Sequence, residues 1–209
     1  LGRNCKYAQN STGKIYCLLS GEYGMLVCYI ARPITGCSFP ETVTYYLSTC
    51  RRLKACGATV LHPLTGKESL RNEIKFKSQG YEGIPCSSNH AILQRDLWMV
   101  EKSDIVFMNL ECANARNEVS IGCVGELIAG HIHRKHTVLV MDTSLDENGN
   151  PVNIHNHAFV VEAADIIFST YEDGITYLEQ LIKDHEDRYP FSQPPFHEVD
   201  MDKGTIKKL

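Results

Sequence analysis

The sequence has nothing close to the run of about 18 apolar residues that a membrane-spanning helix needs, so no transmembrane segment is expected. It has no long basic run, and its net charge is −4. That disfavours bulk binding to a nucleic-acid polymer or a membrane surface but leaves room for a small anionic ligand. The opening residues Leu1 to Tyr7 carry no apolar signal-peptide core, and a cytoplasmic location is the expectation. None of the nine cysteines forms a Cys-x-x-Cys pair, and their number is odd. Several fall in apolar patterns, where cysteine acts as a small hydrophobe, so reduced structural thiols are expected. Gly122 and Gly125 fall short of a dinucleotide fingerprint, and no Walker lysine follows them, which argues against NAD and ATP roles. His131, His133 and His136 are poorly spaced for zinc, since only the last two share a helix face. No cofactor is expected, and no internal repeat is visible.

What is present suits one globular domain: 209 residues, 43% of them hydrophobic, allow a sizeable core with tails. Residues 1–24 are polar, rich in glycine and without a sustained period. They read as a loosely ordered extension, with a short hairpin around Lys14–Leu19 as the rival. The folded catalytic domain is expected over 25–188, and the proline-bearing segment 189–209 reads as a tail.

Within that domain, Leu26–Ala31 reads as the first strand and ends in Arg32-Pro33-Ile34-Thr35-Gly36, a loop of breakers. Phe39-Pro-Glu opens a helix whose apolar face is read as Val43, Tyr46, Leu47, Cys50, Leu53 and Cys56, closed by Gly57. Ala58–His62 is the second strand. Residues 64–88 form a long polar loop, read either as a lid or binding segment or as a solvated loop. A helix follows from Asn89 to Lys102, capped at Ser88 or Asn89, its apolar face read as Ile92, Leu93, Leu97 and Val100. Asp104–Leu110 is the third strand, and Ser120-Ile-Gly122 turns into a helix to about Lys135. Thr137–Asp142 is the fourth strand, His155–Ala163 a short helix and Ala164–Phe168 the fifth strand. An amphipathic helix then runs from Asp173 to about His185.

This alternation predicts an α/β fold, a doubly wound five-stranded parallel sheet of flavodoxin-like or Rossmann-like type with strand order 2-1-3-4-5. That order sets the ends of the first and third strands side by side, at the point where such sheets bind ligands. Tyr29–Gly36 then faces Asn109–Glu126 across a crevice. Tyr29, Arg32, Gly36, Asn109, Ser120, Gly122 and Glu126 collect there, with Asp96 from the helix before the third strand. Two carboxylates and a tyrosine around a pocket suit cleavage of a glycosidic bond: one carboxylate attacks the anomeric carbon and an acid protonates the leaving group. Ser120 and the N–H groups after it suit a sugar hydroxyl or a phosphate. Each residue also has a plainer reading. Glu126 could be a favourable acid near a helix start, Asp96 a solvated helix residue, and Tyr29 a core tyrosine.

Tyr29-Ile-Ala-Arg-Pro-Ile-Thr-Gly36 resembles the first-strand Y-L-A-G-P-x-x-G signature of the nucleoside 2-deoxyribosyltransferase superfamily, which includes the 2′-deoxynucleoside 5′-phosphate N-hydrolases. Asp96 with Ser103-Asp-Ile-Val106 is similar to a second segment of that family. Ser120-x-Gly122-x-x-x-Glu126 is similar to its nucleophile motif, and Asn153-x-His155-x-His157 to a later segment. The resemblance implies that Glu126 is the nucleophile and forms a covalent glycosyl-enzyme. It implies that Tyr29 orients Glu126 or lines the sugar pocket, and that Asp96 contacts the base and assists proton transfer. Ser120 would hold the sugar's 5′ end, and serine there leans toward a 5′-phosphate. Arg32 stands where the family commonly has glycine, and would either pair with a phosphate or fill substrate space.

The expected partners are a nucleoside or nucleotide and a free nucleobase, acted on by a homo-oligomer. Transfer to a base and hydrolysis by water both stay open. A non-enzymatic nucleotide-binding module and a redox or metal protein are the alternatives from other classes.

Overall fold

The first strands of the chain are β1 (Cys5–Gln9) and β2 (Ile15–Leu19), paired antiparallel. In this computed structural model, residues 5–9, 15–19, 24–111, 118–188, 197–200 and 205–208 are described. The chain divides into two compact units, Leu26–Ile182 and the two terminal segments Leu1–Met25 with Lys183–Leu209.

The larger unit holds β3 (Val27–Ala31), α1 (Phe39–Ala55), β4 (Thr59–Leu61), α2 (Asn89–Lys102), β5 (Ile105–Asn109), α3 (Ile121–Ile132), β6 (His136–Val140), α4 (Ala158–Val161) and β7 (Ile166–Phe168), and α5 (Tyr171–Arg188) begins in it. Its five strands pair in parallel in the order β4-β3-β5-β6-β7, which is 2-1-3-4-5 counted within the sheet. In the terminal unit β2 also pairs with β8 (His197–Asp200), and β8 with β9 (Thr205–Lys208), giving a four-stranded antiparallel sheet β1-β2-β8-β9. These strands fall within the expected extension and tail. Residues 1–4, 10–14, 20–23, 189–196, 201–204 and 209 of those segments lie outside the described residues, as do 112–117 of the expected loop after β5.

The period of two along a strand sends alternate residues to opposite faces. Cys28, Ile30, Ile105, Phe107, Val138 and Val140 pack against Tyr46, Cys50 and Leu53 of α1 and Ile175, Leu178 and Ile182 of α5. Tyr29, Ala31, Val106, Met108 and Leu139 pack on the other face, against Met99 and Val100 of α2, Cys123 and Leu127 of α3 and Val160 of α4. Parity in β3 therefore sends Tyr29 toward α2 and α3.

Two helix faces differ from those read in the sequence. In α1 the inward positions include Thr42 and Thr49, while Leu47 is exposed. Thr42 Oγ1 donates to the Ser38 carbonyl, and Thr49 Oγ1 bonds the Tyr45 carbonyl and the Tyr171 hydroxyl. Threonine buries cheaply once its hydroxyl is paired. In α2 the inward positions are Asp96, Met99 and Val100, and Leu93 is exposed. Burial of a charged residue at a helical spacing of three and four is invisible to a hydropathy pattern.

The sheet and α5 approach closely at Gly174. A Cβ there would lie 2.6 Å from Val140 Cγ2 and 3.2 Å from Phe107 Cε2. Alanine's higher helix propensity would return about 1 kcal/mol, but overpacking of this kind costs roughly 1–3 kcal/mol. Gly174→Ala is therefore expected to lower stability by up to about 2 kcal/mol in urea denaturation. An unchanged or raised midpoint would show that the core yields there.

Candidate active site

The ends of β3 and β5 lie side by side, with Tyr29 opposite Val106 and Ala31 opposite Met108. Above them opens a cavity of about 480 Å³, within the range of small-ligand sites. Its walls include Arg32, Asp96, Ser120, Gly122 and Glu126, together with Lys67 and apolar residues of the long loop.

Glu126 comes from the second turn of α3, on the inward face with Cys123, Leu127 and Gly130. A Cβ at Gly130 would sit 3.0 Å from Val106 Cγ2, so glycine lets this helix lie close on the sheet. The wholly buried Tyr29 donates from Oη to Glu126 Oε1 at 2.8 Å. Glu126 is itself only 8% exposed. Burial pushes its carboxyl up to about 8, and the Asp96 charge adds to this, while the Tyr29 hydrogen bond and the Lys67 charge oppose it. Burial also pushes the Tyr29 hydroxyl well above its ordinary range, so it stays a donor. A helix-end acid of the plain kind would be solvated and unshifted. Glu126 is neither.

Asp96 is buried and carries a cation on each oxygen. Lys67 Nζ stands 3.5 Å from Oδ2, and Arg95 Nε 3.3 Å from Oδ1. Burial raises its carboxyl while these two cations hold it down. Lys67 is 5% exposed, and burial lowers its ammonium against the pull of the Asp96 charge. The sequence reads this stretch as a lid or binding segment or as a solvated loop, without singling out Lys67. No local pattern distinguishes Lys67 from Lys75 or Lys77, because its burial depends on how the loop folds back. Leu70, Phe76 and Tyr81 form a small core that packs against Ile34, Phe39 and Leu64. Gly36 N donates to the Phe76 carbonyl at 2.7 Å, and Phe76 N to the Cys37 carbonyl at 2.9 Å. The loop is thus a fixed wall of the cavity rather than a solvated excursion.

Ser120 caps α3, its Oγ accepting from Cys123 N, and its own N–H donates to His155 Nε2 at 2.7 Å. An accepting Nε2 requires a neutral ring protonated at Nδ1, and burial lowers the His155 pKa in the same sense. His157 caps α4, its Nδ1 accepting from Phe159 N. Arg32 lines the cavity, but its guanidinium lies 3.3 Å from Glu41 Oε1 and 4.8 Å over the Tyr45 ring. Gly36 and Asn109 are not among the cavity walls. Gly36 supports the loop with φ 76, and Asn109 Oδ1 accepts from Glu111 N at the strand end. The structure therefore brings Arg32, Asp96, Ser120, Gly122 and Glu126 to the cavity, with Tyr29 outside its lining but bonded to Glu126, and leaves Gly36 and Asn109 as supports.

Away from the cavity, His136 bonds the Tyr177 hydroxyl and lies 3.4 Å from Asp165 Oδ2. Cys28, Cys50 and Cys86 are free thiols. Among the described residues no helix is long and apolar enough to cross a membrane.

No family model matches the chain, and no curated protein matches it. Among solved structures it is similar to a 2-deoxyribosyltransferase from the psychrotolerant bacterium Bacillus psychrosaccharolyticus, with 17% identity over 88% of this chain and 98% of that one, at a TM-score of 0.43. It is also similar to the esterase domain of a Rhodothermus marinus protein, with 14% identity over 89% of this chain and 98% of that one, at a TM-score of 0.35. Neither likeness is close enough to carry an activity from one protein to the other.

Proposed function

We propose that the protein is an N-glycosidic bond enzyme of the nucleoside 2-deoxyribosyltransferase type. The observation that carries this reading is the hydrogen bond from the wholly buried Tyr29 to Glu126, which lines the cavity together with Asp96. A single carboxylate held by a tyrosine, with a second carboxylate on the same cavity, suits double displacement at an anomeric carbon. In the first step a Glu126 oxygen bonds C1′ of a 2-deoxyribosyl unit as the C1′–N bond breaks, and the base leaves protonated. In the second step a nitrogen of another base attacks C1′, releases Glu126 and restores the original configuration. Tyr29 holds the carboxylate in line, and Asp96 meets the base.

Water in place of the second base gives a 2′-deoxynucleoside 5′-monophosphate N-hydrolase, the second reading. It is favoured by Ser120 at the start of α3, where hydroxyl and helix N–H groups suit a phosphate. Arg32 already faces Glu41, so a phosphate reaching it would have to displace that carboxylate. Both readings take a cytoplasmic homo-oligomer as their setting, in keeping with the exposed apolar residues Leu93, Ile121 and Phe159.

The test is incubation with 2′-deoxynucleosides and their 5′-monophosphates, with and without a second base. Exchanged nucleoside supports transfer, and base release without an acceptor supports hydrolysis. Saturable binding with neither product would overturn both in favour of a nucleotide-binding module.

A further inference from the structure

Of the titratable groups on the cavity walls that the proposed reaction has not yet used, Lys77 and Glu118 are exposed, whereas the ammonium of Lys67 is buried. A lysine is rarely buried unless paired, and this one is 5% exposed with Asp96 as its partner at 3.5 Å. An ammonium has three donors and no acceptor. One is taken by Asp96, and the side chain lines the cavity, so a ligand there meets a buried N–H donor. Burial raises the Asp96 carboxyl, but both its oxygens are engaged by cations, Lys67 at 3.5 Å and Arg95 at 3.3 Å, which favour its ionised form. Arg95 does not give up a proton at any ordinary pH. Tyr29 already donates to Glu126, and Glu126 must be ionised to attack. Lys77 also lines the cavity but is exposed and stands over the Tyr81 ring, so Lys67 is the buried ammonium beside Asp96 that can release a proton to a departing base.

We propose that Lys67 is the general acid of glycosidic cleavage, with Asp96 as the residue that positions it. The inference rests on the reading of Glu126 as nucleophile. As the Glu126 oxygen bonds C1′, the C1′–N electron pair moves onto the base, and the base takes a proton from Lys67 Nζ. The products are the glycosyl ester of Glu126, a neutral base and a neutral Lys67 amine. In the second half the incoming base, or water, returns its proton to that amine as it bonds C1′, and charge and protons balance over the cycle. Burial favours the neutral amine, and so favours release of the proton.

The experiment compares two substrates. 2′-Deoxyguanosine needs a proton on its leaving base. 7-Methyl-2′-deoxyguanosine carries a cationic base that departs neutral without one. Lys67→Met is expected to lower kcat for base release from the first by about 100-fold or more, and from the second by no more than about fivefold. Lys67→Arg keeps the charge beside Asp96 but cannot release a proton, so it should show the same split, and it serves if the methionine variant does not fold. Equal losses on both substrates, or no loss on either, would overturn the assignment while leaving Glu126 in place. Wild-type protein that releases base from neither substrate would instead overturn the parent reading, and this one with it.

Discussion

Glu126→Gln is expected to lower kcat for base release or exchange by about 1,000-fold or more, which is roughly 4 kcal/mol of transition-state stabilisation. The amide keeps the size of the carboxyl and can still accept from Tyr29 Oη, so the cavity should stay formed. It lacks the charge needed to bond C1′ and to stabilise an oxocarbenium-like centre. KM is therefore expected to change only a few-fold, since the carboxylate acts mainly in the transition state. Steady-state kinetics on the best substrate of the panel would check this. A parallel rise in KM with kcat preserved would mean that Glu126 only binds the sugar.

The same substitution is expected to stabilise the protein, and more so at high pH. Glu126 is raised from its ordinary value of 4.5 to about 8, chiefly by burial. Between those two pH values the unfolded chain has given up this proton while the folded chain still holds it. The folded state therefore loses stability as pH rises through that window, and the loss levels off once the folded group ionises. The full difference corresponds to at most about 5 kcal/mol, of which glutamine would recover part. Urea denaturation of both proteins at pH 4, 6 and 8.5 should show near-equal stability at the lowest pH and a widening advantage for Glu126→Gln above it. A gap that does not change with pH would mean that the carboxyl is not held protonated by its burial. The two effects have one cause, since a carboxyl kept out of water is costly to ionise and reactive once ionised.

Much of this site was legible in the sequence because it follows from periodicity. Alternation in Val27–Ala31 sends Tyr29 to one face of the sheet. Helical spacing from the Ser120 cap turns Glu126 to the same face. The crossover rule and strand order then bring the two together, 97 residues apart in the chain. The rest depended on tertiary contacts. Asp96 lies inside because Lys67 and Arg95 offset the cost of burying it, and neither pairing has a sequence signature. Lys67 is buried because Leu70, Phe76 and Tyr81 pull an otherwise polar loop onto the domain. Arg32, which the sequence offered as a phosphate ligand, faces Glu41 of the next helix, a pairing that needs the actual course of the loop. Asn109 stands one residue along from Met108 and so falls on the opposite parity from the face that carries Glu126.

The most direct measurement of the central claim is a search for the covalent intermediate. Wild-type protein would be mixed with a 2′-deoxynucleoside in the absence of an acceptor base, quenched in acid and measured by intact mass, with peptide mapping of the adduct. The expected result is a mass gain of one 2-deoxyribosyl unit on the peptide that contains Glu126, absent from Glu126→Gln and lost when an acceptor base is added before the quench. Turnover with no adduct under any quench condition, or an adduct mapped to another residue, would contradict Glu126 as the nucleophile.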